Sequence, residues 1–135
     1  MANGHERGLL DTNVIIDIEN IDTELLPDQM LITAMSLAEL AAGPHATNDL
    51  DERARRQDRL QRAETTFESL SFDKAAARAY ARVYSLELAG GRKLRGGRAI
   101  DLMIAAVALA EGLPLYTRNP AAFHNVTSIV DIVAL

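Results

Sequence analysis

The fold of this chain is decided by residues 8–17, which read GLLDTNVIID. A short apolar run ends at Leu10, a polar triplet begins at Asp11, and a second apolar stretch follows. This order predicts a buried strand, a turn and then a short helix. Since ligands of α/β sheets gather just beyond the carboxyl ends of the strands, Asp11 stands where a functional site is expected.

Downstream, short apolar strands alternate with helices. Strands are predicted at residues 30–33, 115–117 and 128–133, and helices at 36–42, at 52–70, from an N-cap at Asp73 up to Gly90, and at 99–111. The helix at 36–42 opens with a Ser-x-x-Glu capping box. Alternation of this kind predicts an α/β fold: a three-layer α/β/α domain whose central, mainly parallel sheet is flanked by helices.

Length and composition limit the class of protein. The 135 residues form a single expected domain, residues 1–135, and 48% hydrophobic with 24% charged residues is the balance of a compact soluble protein. The longest apolar run, residues 102–110, is about half of what a bilayer crossing requires, and residues 1–8 are polar, so we expect a cytoplasmic protein and no membrane partner. The absence of cysteine excludes disulfides and thiolate metal sites.

The net charge of −5 means that bulk charge does not attract this chain to nucleic acid. Its three tyrosines and three phenylalanines, with no tryptophan, give too little ring surface for a platform on which bases stack. Any nucleic acid is therefore expected to be held mainly through its phosphates. A structured RNA, such as tRNA, fits recognition by shape and phosphate.

Three carboxylates, those of Asp11, Glu39 and Asp101, are embedded in apolar sequence. Three anions about 5 Å apart would repel by roughly 3 kcal/mol per pair at an effective dielectric constant of about 20, so they need a cation or protons. Oxygen ligands without cysteine or paired histidines favour Mg²⁺ or Mn²⁺ over zinc. The predicted chemistry is metal-assisted attack of water on a phosphodiester.

Each carboxylate also has a purely structural interpretation. Asp11 can cap the helix that follows it, Glu39 can complete the capping box of Ser36, and Asp101 can oppose the dipole of its own helix. Only the convergence of all three in space separates the two interpretations.

Four stretches resemble, in order and at about the right spacing, the motifs of the PIN domains, and within that family the VapC-type toxins of prokaryotic toxin–antitoxin pairs. The resemblance runs from Leu9 to the final strand, and four ordered motifs are specific where one would be weak. The stretches are residues 9–17; Ser36-x-x-Glu39-Leu40 with Gly43; Asp101-Leu102-x-Ile104-Ala105-Ala106; and Thr117-Arg118-Asn119 with Phe123.

The resemblance implies a Mg²⁺- or Mn²⁺-dependent endoribonuclease, usually a homodimer, that is silenced by a cognate VapB-like antitoxin which also binds its own operator DNA. By position, Asp11 and Asp101 are catalytic metal ligands, and Glu39 completes the catalytic pocket as a ligand or a base. The residues expected around these acids are Thr12, Asn13, Ser36, Thr117 and Asn119.

The chain departs from the family pattern at one point. Many relatives carry a fourth acid at the position of Asn119 or just before the phenylalanine, where this chain has Ala122. Asn119 is neutral but still forms hydrogen bonds. We therefore expect one firmly held ion and a second that arrives with the substrate phosphate.

Two groups of basic residues are candidates for contacts with RNA. The first is a glycine-flanked loop next to Asp101, interpreted as a phosphate clamp or, alternatively, as a solvated loop; it contains Arg92, Lys93, Arg95 and Arg98. The second lies among acids on the long helix, where a solvated face is favoured over contact with antitoxin or RNA; it contains Arg53, Arg55, Arg56, Arg59 and Arg62.

Other functions compete with the nuclease. Haloacid-dehalogenase-like phosphatases also place an Asp after a strand, but they need a second acid two residues later, where this chain has Asn13. A PIN module that binds RNA or antitoxin without cutting is the remaining alternative, because the fourth acid is missing. The histidines show no metal-ligand spacing, and Tyr80 and Tyr84 are expected in a core or a dimer interface.

Overall fold

The computed structural model describes residues 5–91 and 98–135. In these residues a five-stranded sheet has the order β3-β2-β1-β4-β5, and every neighbouring pair is parallel. The α/β fold class with helices flanking a central sheet is confirmed. The strands are β1 Arg7–Leu10, β2 Gln29–Thr33, β3 Glu68–Leu70, β4 Leu115–Thr117 and β5 Ile132–Ala134.

Five α-helices and four short 3₁₀ segments connect the strands in the described residues. The α-helices are α1 Thr12–Ile16, α2 Ala34–Ala42, α3 Leu50–Thr66, α4 Lys74–Ala89 and α5 Arg98–Glu111. The 3₁₀ segments are Ile18–Asn20, Thr23–Leu25, Gly43–Ala46 and Pro120–Val126.

The strand order reverses between β1 and β4. The chain builds β2 and then β3 outward on one side of β1, and it returns to place β4 and then β5 on the other side. The connections that leave β1 and β4 therefore diverge, which opens a crevice at the carboxyl ends of these two strands. Leu10 pairs with Tyr116 in the register, so the residues that follow, Asp11 and Thr117, are neighbours at this edge.

Each face of the sheet packs on its own hydrophobic core. Successive strand residues point to opposite faces, so Leu9 joins the core under α4 and α5, while Leu10 joins the core under α1, α2 and α3. Both side chains are fully buried. Burial on both faces explains why the central strands read as uninterrupted apolar runs.

Three boundaries predicted from the sequence are wrong. The helix predicted at 52–70 ends at Thr66, and its last three residues form β3 beside β2. The strand predicted at 128–133 is only Ile132–Ala134, because Val130 lies in a turn that returns to Val126 and fills the core.

The third wrong boundary is the start of α2. Thr33 caps this helix, since its hydroxyl accepts a hydrogen bond from the Ser36 N–H at 3.1 Å. Ser36 is therefore an internal, buried helix residue, and the predicted Ser36–Glu39 capping box does not form. By contrast, the predicted N-cap at Asp73 is confirmed, with a 2.9 Å hydrogen bond from the Ala76 N–H.

No helix in the described ranges combines the length and the apolar character needed to span a membrane.

Gly8 tests the packing between β1 and β4. A Cβ at this position would lie 2.5 Å from Cε1 of the fully buried Tyr116 and 2.9 Å from Cγ of Pro27. Because the ring has no room to move, we expect Gly8→Ala to lower the free energy of unfolding by about 1–3 kcal/mol, measured by chemical denaturation. Gly43→Ala is the matched control, since its Cβ would only reach Cδ of Arg56 at 3.5 Å; equal stability of the two variants would contradict this packing.

Candidate active site

Asp11 lies at the carboxyl end of β1 and is only 4% exposed. Its Oδ1 accepts a hydrogen bond from the Thr12 N–H at 2.9 Å, and its Oδ2 accepts one from the Thr117 hydroxyl at 2.9 Å. Burial raises the pKa of the Asp11 carboxyl above its usual value, while the hydrogen bonds from Thr117 and Thr12 oppose that rise. Asp11 thus caps α1, as its structural interpretation predicted, and is also held rigidly at the crevice.

Thr117 joins the loops that follow β1 and β4. Besides donating to Asp11, its hydroxyl oxygen accepts the Asn119 N–H at 3.0 Å and lies 3.4 Å from the donating Nδ2 of Asn13. The Asn13 side chain in turn accepts the Arg118 N–H at 3.2 Å. The predicted pocket residues Asn13, Thr117 and Asn119 therefore form one network around Asp11.

A second network holds Glu39, which projects from α2. The Thr12 hydroxyl donates to Oε1 of Glu39 at 2.6 Å, and its oxygen lies 2.8 Å from Oγ of Ser36. A hydroxyl has one proton, so Ser36 is the donor to Thr12. Glu39 consequently does not turn back to cap its own helix; it is oriented by a residue 27 positions earlier in the chain.

Asp101 lies in the first turn of α5, as the sequence predicted, and its side chain is 36% exposed. Burial, followed by the negative charge of Asp11, raises the pKa of the Asp101 carboxyl to about 6. The charge of Glu39 raises it further, whereas Arg98 lowers it. The structure thus brings the three predicted acids into one electrostatic neighbourhood.

These acids do not form a preformed metal cage. In the described residues, no group of three or more His, Cys, Asp or Glu side chains is arranged to hold one metal ion. The expectation that three carboxylates meet at one spot is therefore not met in that strict sense. The carboxylates of Asp11 and Asp101 are nevertheless the kind of ligand that Mg²⁺ uses, because this ion usually keeps several waters and is bound by one or two carboxylates together with substrate phosphates.

Asn119 and Ala122 supply no additional acid. Asn119 precedes the 3₁₀ segment Pro120–Val126, and its side chain makes no capping hydrogen bond there. Its backbone N–H contributes to the Thr117 network, as described above.

Arg98, one member of the phosphate clamp predicted from the sequence, is mostly buried and already paired with an acid. Its side chain is 14% exposed and forms an ion pair with Glu87 of α4 through two of its nitrogens. Its NH1 lies 3.8 Å from Oδ2 of Asp101. The other members of the predicted clamp, Arg92, Lys93 and Arg95, lie outside the described residues.

Glu87 is the residue that sequence reasoning missed. It is fully buried, and its Oε1 accepts a hydrogen bond from Nδ2 of Asn125 at 3.0 Å. A signal was present, because position 87 follows Ala79 and Val83 at four-residue spacing, along the apolar stripe of α4. A charged residue on such a stripe indicates a buried ion pair.

The arginines of α3 form the predicted local ion pairs. Glu52 binds Arg55 and Arg56 at 2.9 and 3.2 Å, and Arg62 binds Asp58 at 3.2 Å and Glu19 at 2.6 Å. Arg59 instead lines, with Glu39 and Arg56, an open cavity of about 290 Å³. These ion pairs agree with the interpretation of a solvated helix face, while Arg59 lines the cavity beside Glu39.

The remaining candidates lie at the margins of the site or away from it. Asp17 forms a 3.3 Å ion pair with Arg118. On α4, the ring centroids of Tyr80 and Tyr84 are 6.0 Å apart, and Tyr84 and Leu88 are exposed.

Comparison with known proteins identifies the family of this chain. The family model described as "PIN domain" matches residues 8–128. The chain belongs to the PIN-domain family. Among PIN-domain relatives, it is 38% identical over 115 residues to Ribonuclease VapC5 of Mycobacterium tuberculosis, which covers 83% of this chain and 82% of that protein.

Solved structures give the same result. The crystal structure of VapBC-5 from Mycobacterium tuberculosis, a member of the VapBC family of toxin–antitoxin systems, matches with a TM-score of 0.82 and 36% identity, covering 96% of this chain and 99% of the other. A DNA-bound VapBC from Salmonella typhimurium matches with a TM-score of 0.75, 24% identity and coverage of 96% and 98%, which supports the fold alone.

Asp101 makes stability depend on pH. The pKa of its carboxyl is about 6 in the folded protein and about 3.8 in the unfolded chain. Between these pH values the folded chain therefore binds more protons than the unfolded chain does. The free energy of unfolding therefore falls as pH rises through this window. In buffer with EDTA at pH 8, we expect Asp101→Asn to raise stability by about 1 kcal/mol, a figure reduced for solvent screening.

This gain should vanish below about pH 4, where the wild-type carboxyl is also neutral. Thermal melts at both pH values measure it, with Asp28→Asn, at an exposed position, as the control. An Asp101→Asn variant that is less stable than wild type at pH 8 would contradict the conclusion that burial and the charge of Asp11 disfavour the ionised Asp101 carboxylate.

Proposed function

We propose that this chain is a divalent-metal-dependent endoribonuclease and the toxin of a toxin–antitoxin pair. The observation that carries the proposal is the placement of Asp11, which two hydrogen bonds fix at the carboxyl end of β1, close enough to Asp101 in the first turn of α5 that its charge raises the pKa of the Asp101 carboxyl. Two carboxylates that repel each other are stabilised when a cation binds between them. The similarity to Ribonuclease VapC5 supports RNA as the substrate.

Asp11 and Asp101 would hold Mg²⁺ or Mn²⁺, and Glu39 would serve as a further ligand or a base. The bound ion supplies Lewis acidity and positive charge toward the phosphodiester. Asp11 is fixed by two hydrogen bonds, so its carboxylate needs no reorientation on binding. With asparagine at position 119 and alanine at 122, we expect one firmly held ion and a second that enters with the phosphate.

Glu39 is suited to accept a proton from the attacking water. Thr12 orients the Glu39 carboxylate through Oε1, while Oε2 accepts no hydrogen bond from the described residues. Hydrolysis of this kind leaves a 5′-phosphate and a 3′-hydroxyl. Thr12 and Ser36 would position the base rather than react.

The RNA would be bound mainly by its phosphates. Arg59 borders the cavity beside Glu39 and supplies a cation there. Arg92, Lys93 and Arg95, which precede Asp101 in sequence, are proposed as further phosphate contacts. With so few aromatic residues for stacking, a structured RNA such as tRNA is the proposed class of substrate.

The proposed partner is a VapB-like antitoxin, because structures similar to this chain are VapBC complexes. An open, mostly apolar cavity of about 230 Å³ between α1 and α3 offers a seat for apolar side chains of such a partner. This cavity shares Ile16 and Arg59 with the one beside Glu39, so a partner bound there would extend toward Glu39. A basic side chain of the antitoxin would then replace the charge of the ion. We also propose that the toxin is a cytoplasmic homodimer.

One alternative has an observation in its favour. The described residues contain no three-ligand metal group, and the fourth acid is missing, which suits a PIN module that binds RNA or antitoxin without cutting.

Cleavage assays separate the two functions. We expect the purified chain to cut RNA with Mn²⁺ and to lose activity with EDTA. Asp11→Asn and Asp101→Asn should each reduce the rate on the order of 100-fold or more, because each removes charge that binds the ion. The control, Asp28→Asn, should cut normally. An inactive wild-type chain would favour the binding module, and cutting that survives both substitutions would locate the activity elsewhere.

Thr12→Val tests the orientation of Glu39. Valine has nearly the shape of threonine, but it removes the donor to Glu39 and leaves the buried Ser36 hydroxyl without its acceptor. We expect a loss of about 1–2 kcal/mol in stability. The cleavage rate should also fall about tenfold, as for the loss of other orienting contacts.

Thr12→Ser, which keeps the hydroxyl, is the matched variant and should restore most of the rate. If the valine and serine variants cut equally well, Thr12 does not orient the base.

A further inference from the structure

Glu87 is a carboxylate with no exposed surface in the interior of the protein, between α4, α5 and the segment Pro120–Val126. An ionised carboxylate in such a place needs partners for both oxygens. Oε2 is paired with the Arg98 guanidinium, and Oε1 accepts the 3.0 Å hydrogen bond from Asn125. The buried group is thus held by residues from two other elements.

The space around Glu87 is shaped for this contact. A Cβ on Gly90 would lie 2.3 Å from the side chain of Asn125, so the missing side chain at Gly90 admits the Asn125 amide. Glu87 is therefore clamped in one position rather than paired loosely.

Arg98 stands between two carboxylates. Two of its nitrogens contact the buried Glu87, and the third, NH1, lies 3.8 Å from Oδ2 of Asp101, which is a long ion pair but beyond hydrogen-bond distance. Arg98 and Asp101 are three residues apart in α5, on neighbouring positions of the helix surface. Without Glu87, the guanidinium would be free to close on Asp101.

We propose that Glu87 is a positioning residue that holds the Arg98 guanidinium away from Asp101, so that the Asp101 carboxylate stays available to a divalent cation. The inference rests on the proposed metal-dependent function. Arginine is always charged and binds carboxylates through two parallel hydrogen bonds, so it competes directly with a metal ion for the same oxygens. Glu87 removes this competitor by binding it.

The experiment measures Mn²⁺ binding to the purified, EDTA-stripped full chain by isothermal titration calorimetry. In Glu87→Gln, we expect the Kd for Mn²⁺ to rise about tenfold. Loss of a residue that orients a metal ligand without touching the metal has a comparable effect at other sites. The double variant Glu87→Gln/Arg98→Gln, which removes the competitor as well, should recover to within about threefold of wild type. Glu19→Gln, which breaks the exposed pair with Arg62, is the matched control and should bind as wild type does.

Glu87→Asp separates position from charge. It keeps the negative charge but retracts the carboxylate by one methylene. If Glu87 acts by positioning Arg98, Mn²⁺ binding should weaken; if it acts only through its charge, Mn²⁺ affinity should stay at the wild-type value. This variant also carries the test if Glu87→Gln does not fold, as judged by circular dichroism. Cleavage assays should show the same order: more Mn²⁺ is needed for half-maximal rate, while the rate at saturating Mn²⁺ is nearly unchanged.

Wild-type affinity in Glu87→Gln or in Glu87→Asp would overturn the inference, as would a double variant as weak as Glu87→Gln alone. In each of these cases the wild-type chain still binds Mn²⁺, so the proposed function stands. A wild-type chain that binds no Mn²⁺ overturns both.

Discussion

The buried carboxylate of Asp11 is the constraint on which the rest of the site depends. A charge with 4% exposure is tolerated only because the Thr12 N–H and the Thr117 hydroxyl satisfy its two oxygens. Thr117 ends β4, so this second donor is available only when β4 lies directly beside β1. The position of Asp11 therefore depends on the strand order. The reversal of strand order between β1 and β4 creates the crevice and also brings the Thr117 hydroxyl to Asp11.

The charges around Asp101 form a balance between repulsion and compensation. Asp11, Glu39 and Glu87 all raise the pKa of Asp101, and Arg98 is the cation whose charge lowers it. Yet Arg98 is engaged by Glu87, whose carboxylate is fully buried. The negative charge of the acids at the crevice is thus only partly compensated, and a site in that state favours either a proton or a divalent ion.

Local patterns predicted the elements whose signals are complete within a few residues. The apolar run before Asp11, the helix 99–111 and the cap at Asp73 are of this kind. The strand β3 was missed because Phe67 and Leu70 continue a helical spacing equally well, and only pairing with β2 decides against the helix. Ser36 was misread for a related reason: Thr33 competes for the same cap, and the contact between Ser36 and Thr12 spans 24 positions.

Thr12 shows why the site could be suspected from sequence but not assembled from it. Its backbone N–H binds Asp11 and its hydroxyl binds Glu39, so a single residue fixes two acids that come from different elements. The hydroxyl serves in this way only because Ser36 donates to its oxygen and leaves its proton for the carboxylate. In sequence, Thr12 is one ordinary residue after a capping aspartate. Its role follows from the approach of α2 to the start of α1, and that approach is determined by the shared core of Val14, Ile15 and Leu40 rather than by any polar motif.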